Sequence, residues 1–203
     1  MTSLQKSWDL CKENSVYIAF GTLLFLAGAA LGGFSGIFSS YGEDQMQGIG
    51  ELARQIESGP YARFVLFAVI FLNNTIKSIL MMYLGLLFGV IPVLFLFING
   101  VILGYVIQHA ADQGADVIAL VFKGILPHGI IELPVIIVAG SFGIRLGAMM
   151  WARTFNFIRA EAGGSRILRE YMRDVLALAK WFTLLLLIAA FIESTITFWL
   201  LGR

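Results

Sequence analysis

Apolar residues run along this chain in five blocks of transmembrane length, separated by short polar or glycine-bearing links. The blocks fall at residues 15–38, 61–83, 92–108, 130–150 and 181–201, and each predicts a helix that spans a bilayer. Residues 117–125 are apolar but too short to cross, and Lys123 interrupts them, so they predict a half-helix that dips in and returns with residues 126–129 at its tip. The links differ in character. Residues 39–60 predict a polar loop with a short helix at 50–57, and residues 84–91, with Gly85, Gly89 and no charge, predict a tight apolar hairpin or a partly re-entrant turn. Residues 151–180 predict a basic amphipathic helical link lying against the membrane, divided at Gly163-Gly164. The fold class is all-α: a polytopic integral membrane protein with five spans, a re-entrant half-helix and a cytoplasmic amphipathic link, forming a single membrane domain over residues 1–203.

Composition sharpens this. The chain is 59% hydrophobic and 13% charged, where soluble domains are roughly a quarter charged. A formal net charge of +1 gives no basic character to suggest nucleic acid, so the electrostatic information lies in where the charges sit. Arg153, Arg159, Arg166, Arg169, Arg173 and Lys180 outnumber Glu161, Glu170 and Asp174 in residues 151–180, and Lys6 and Lys12 mark the N-terminal segment. The positive-inside rule assigns both stretches to the cytoplasm, which an odd number of spans permits. The C-terminus is then extracytoplasmic, as are residues 39–60 with Glu43, Asp44, Glu51 and Glu57. The sole cysteine, Cys11, excludes an intramolecular disulfide and any cysteine-built zinc or iron–sulfur site.

Polar residues inside the spans are the candidate site, because each must face protein, water or another polar group. Residues 126–147 read LPHGIIELPVIIVAGSFGIRLG, and His128 and Glu132 stand one helical turn apart on one face. At about 1.5 Å per residue, Glu132 lies roughly 20 Å from Arg145, and Glu193 lies roughly 20 Å from Lys180, which puts both carboxylates at similar depth. Asn73, Asn74 and Lys77 occupy one turn of the second span, and Asn99 falls near the middle of the third. Depth alone therefore groups Asn73, Asn74, Lys77, Asn99, His128, Glu132 and Glu193 into one buried polar cluster.

Three chemistries fit such a cluster. The first is structural, with interhelical hydrogen bonds fixing the packing of irregular backbone. The second is a transporter or proton relay built on the broken helix, although the chain shows no inverted repeat. The third is a metal site, where zinc would take His128 and Glu132 with further ligands from Glu193, His109, water or a second protomer. Hydrolysis is disfavoured because HGIIE supplies one His where a zinc protease helix needs two, and no activated Ser or Cys constellation exists. The expectation is a protein that is not an enzyme and has no cofactor, with the lipid bilayer as its first partner. Gly28, Gly32 and Gly36, and Gly143 with Gly147, recur at four-residue spacing, the pattern that lets helices approach closely, and they predict a homodimer or close packing within one protomer.

Three blocks carry a resemblance: FLNNTIKS in the second span, GLLFGVIPVLFLFINGVILGYV leading into the third, and LPHGIIELPVIIVAGSFGIRLG in the fourth. In this order they resemble the stage II sporulation protein M family of multi-pass membrane proteins, from about Phe64 to Gly147. The resemblance implies a membrane scaffold that localises two partners, stage II sporulation proteins D and P, which cut peptidoglycan while the mother-cell membrane engulfs the forespore. It also implies that the protein does not itself cut. Related proteins occur in organisms that make no spores.

Overall fold

The most extensive helix pairing joins α2 (Ser15–Phe34) to α5 (Val90–Asp112), and small residues create it. A Cβ on Gly28 would fall on the Phe97 carbonyl and one on Gly32 on the Val101 carbonyl; from the other side, Gly100 faces the Phe25 carbonyl and Gly104 the Ala29 carbonyl. Backbones this close gain dispersion contacts that larger side chains would prevent, which matters where lipid removes any hydrophobic drive between helices. Gly36, at the same spacing, has nothing within 4 Å.

The computed structural model describes residues 3–57, 61–158 and 164–197. The chain runs through α1 (Ser3–Glu13), α2, a 3-10 turn at Gly36–Phe38, α3 (Ser39–Glu57), α4 (Ala62–Leu84), α5, and a short α6 (Val117–Ala119) continued by π-helical turns at Leu120–Ile125. It ends with α7 (Leu126–Ile158), α8 (Gly164–Ile192) and a π-helical turn at Glu193–Thr197. Among the described residues, 5 helices are long and apolar enough to cross a membrane: Ser15–Phe34, Ala62–Leu84, Val90–Asp112, Gly129–Phe155 and Leu168–Thr195. The five-span, all-α architecture is the one the hydropathy pattern predicts.

α7 is the central post, touching α2, α4, α5 and α8. Its Val135, Ala139, Phe142 and Leu146 meet Tyr171, Val175, Leu178, Phe182 and Leu186 of α8, with Met82 of α4 and Leu10 of α1 closing the cluster. On its other side Ile136 and Ile144 pack with Leu96 of α5. Small residues also set the α4–α7 contact: a Cβ on Gly85 would strike the Gly143 carbonyl, and one on Gly147 the backbone of Gly89. The α4–α5 turn is thereby held level with Arg145. Phe88 and Gly89 close that turn at φ 56 and φ 75. A left-handed conformation costs a residue with a Cβ about 1–2 kcal/mol, and the Phe88 ring recovers contact by packing 4.8 Å from Trp151.

Three elements differ from the sequence reading. Residues 39–57, expected as a loop with a short helix, are helical throughout as α3, because one side packs inward: Gly42 lies against the Tyr105 ring and Ile56 is buried. Residues 117–125 do not turn back; Asp116 caps their start by accepting from the Ala119 N–H at 3.0 Å, and the π-helical turns run directly into α7. Pro127 explains the π geometry, since it lacks an N–H and crowds the preceding turn, which a wider helix relieves. Residues 164–180 are not a surface link but the first half of α8, because Tyr171, Val175, Leu178 and Phe182 form a buried stripe at helical spacing while Arg169 and Arg173 stay exposed. The helix that holds the last span therefore begins well before residue 181, and the helix that holds the fourth runs on past residue 150. Gly163 and the end of the predicted last span, residues 198–201, lie outside the described residues.

Candidate functional site

Helical periodicity separates the polar residues that depth had grouped. On α4 the inward stripe is Thr75, Ser78, Met81 and Met82, all buried, whereas Asn73 and Lys77 are exposed on the outward face beside Ile76 and Leu80. The Asn73 amide donates to the Asn74 side-chain oxygen at 3.1 Å. Asn99, half-buried on α5, donates to the Phe95 carbonyl one turn back on its own helix at 2.7 Å. Glu132 is half-buried within α7; the His128 backbone is helical in the same element, and its side chain lies outside the described residues. Glu193, half-buried, opens the final π-helical turn, which packs on both α4 and α7. The hydrogen bonds described for the amides at 73 and 99 stay on their own helices.

The buried polar groups that the sequence reading missed are small or sit at helix joints. Ser141 donates to the Ile137 carbonyl at 2.7 Å, and Ser194 to the Phe191 carbonyl at 3.3 Å. Thr75, Ser78 and Asn14 have buried side-chain polar atoms with no hydrogen-bond partner among the described residues. Spacing was the available signal: Leu10, Asn14, Tyr17 and Gly21 repeat at three and four residues, and Gly21 lies directly on Ser141.

At the Arg145 end, charge is handled in pairs. Lys6 of α1 meets Asp174 of α8 at 2.6 Å, and the Arg145 guanidinium sits 5.2 Å over the Tyr171 ring. The Tyr171 hydroxyl in turn donates to the Phe142 carbonyl at 2.6 Å. Cys11, beside this cluster, is half-buried, and burial pushes its thiol pKa up. At the opposite, α3 end, His109 lies between Tyr105, 3.4 Å away, and Gln113, 2.8 Å away, while Gln108 donates to Asp112 at 2.9 Å.

Among the described residues no three His, Cys, Asp or Glu side chains gather as metal ligands. The arrangement is a polytopic helical membrane protein. Comparison gives its family: the chain belongs to the stage II sporulation protein M family, whose model matches residues 21–198. This is a sporulation-associated family of membrane proteins that is not known as enzymatic. A similar relative is an uncharacterised protein of the archaeon Methanocaldococcus jannaschii, 28% identical over 116 residues that make up 57% of this chain and 50% of the relative. The chain thus spans about half the length of the curated relative it matches. No solved structure matches it.

Proposed function

We propose that this protein is a non-enzymatic membrane scaffold that recruits or anchors the peptidoglycan hydrolases, sporulation proteins D and P, during engulfment. The family match over residues 21–198 carries this reading. α3 supports it by offering a water-compatible face at one end of the bundle, with Glu43, Asp44 and Glu51 exposed. In this reading the N-terminus and the α7–α8 connection are cytoplasmic, and α3 and the C-terminus face the space where the cell wall is cut. A homodimer is not part of the proposal, because the seams at Gly28, Gly32, Gly143 and Gly147 that suggested one pack helices within the chain. Transport and zinc binding at His128 and Glu132 are the readings it displaces.

Deleting the gene in a spore-forming host is expected to stall engulfment and disperse fluorescent fusions of D and P. Normal engulfment with both hydrolases in place would sink the proposal. Orientation is checked by single cysteines on a Cys11→Ala background: one within α3 reacts with an impermeant maleimide in intact cells, and one at Gly163 does not.

A further inference from the structure

We propose that the outward face of α4 docks a transmembrane helix of another protein, one that carries a carboxylate in mid-membrane. α4 is the least enclosed span, with 11% of its apolar window buried where the others range from 22% to 56%. Its outward face nevertheless carries Asn73 and Lys77, with Asn74 half-buried alongside. Asn73 is 73 − 62 = 11 residues from Ala62 and 84 − 73 = 11 from Leu84, so it sits at the centre of the helix, roughly 17 Å from either end. An amide side chain cannot reach water from there. Lys77 can extend toward the Leu84 end, roughly 10 Å away, but doing so leaves the two amides behind.

Hydrocarbon is a poor neighbour for these groups. The bond from Asn73 to Asn74 fills one donor and one acceptor, and a pair of amides offers four N–H donors and two oxygens. Ionisable groups in spans face protein or a water-filled cavity, where they find partners, so the exposed cation and amides call for a second helix. Leu72, Ile76 and Leu80, all exposed, supply the packing ridge around them.

Charge selects the occupant. A symmetric contact between two copies of α4 would bring one Lys77 ammonium toward another, and like charges in a membrane interface count against that assembly. A foreign helix with an Asp or Glu one turn from a hydrogen-bonding side chain complements Lys77 and the amides together. The inference rests on α4 alone and does not require the partner to be a hydrolase.

The test reconstitutes the full chain in phosphatidylcholine vesicles with a synthetic polyleucine helix carrying one central Glu, and reads association by energy transfer between attached fluorophores. The Glu helix is expected to associate and the all-Leu helix not. Lys77→Met is expected to weaken the Glu helix about tenfold, Lys77→Arg to retain it, and Lys77→Glu to switch preference to a helix bearing a central Lys. Retention in Lys77→Arg separates loss of charge from loss of fold. Equal binding of the Glu helix by wild type and Lys77→Met overturns the proposal. So does efficient disulfide formation between two copies carrying Ile76→Cys, which would make the occupant a second copy of this chain.

Discussion

The Tyr171 hydroxyl reaches the Phe142 carbonyl at 2.6 Å, tying together positions 29 residues apart and setting the register of α7 against α8. Tyr171→Phe removes that bond and little else, so the expected loss is about 0.6–1.5 kcal/mol, read as a lowered unfolding midpoint in detergent. Tyr171→Ala should lose about 3–5 kcal/mol, because the ring is buried against Phe142 and carries the Arg145 guanidinium. An unchanged midpoint for Tyr171→Phe would show that the bond does not contribute.

Two glycines four residues apart, one in α2 and one in the 3-10 turn that follows it, should behave in opposite ways. Gly32→Leu forces a side chain into the Val101 backbone and should abolish folded, monodisperse protein, whereas Gly36→Leu meets nothing within 4 Å and should be silent. Size-exclusion profiles of the two variants side by side decide this. Equal profiles would mean that the α2–α5 seam tolerates separation.

Elemental analysis of the purified protein is expected to find no stoichiometric metal in wild type, Glu132→Gln or His128→Ala. Glu132→Gln should be nearly silent in stability, since an amide keeps an acceptor and sheds a charge that is costly at that depth. One zinc per chain that vanishes in both variants would establish the metal site instead, because a neutral amide substitutes poorly for a carboxylate ligand.

Burial that raises the Cys11 pKa should make its thiol slow to alkylate at pH 8 relative to the unfolded chain, since the thiolate is the nucleophile. The folded-state pKa lies above the unfolded one, so the associated stability is fully present below the unfolded value and is lost as pH rises through the folded value. Iodoacetamide kinetics with and without denaturant measure the first effect. Equal rates would place Cys11 in water.

Long apolar periodicity made the spans legible, and the glycine spacing correctly flagged Gly28, Gly32, Gly143 and Gly147 as close-packing positions, though not Gly36. What sequence could not supply was rotation. Asn73 and Ser78 differ in polarity rank, yet the larger amide turns outward and the small hydroxyl inward, because a serine fits where helices touch and its neighbour Met82 fills the core. Charge density misled at residues 164–180, where Arg169 and Arg173 mask a buried stripe through Tyr171, Val175 and Leu178 that a period-3.6 reading exposes. Pro127 was legible as an interruption, but its resolution by π-helical turns depends on how much slack the following helix can absorb.

The uncharged turn at residues 85–89 bears on how the protein is made. Topology is read during insertion from lysines and arginines flanking each span, and this turn offers the insertion machinery none. α4 and α5 must therefore enter the bilayer together as a helical hairpin whose direction is dictated by the segments on either side. Its final height is fixed later, when Gly85 and Gly89 meet Gly143 and Gly147 on α7, so a charge added to the turn acts on biogenesis before it acts on the finished fold.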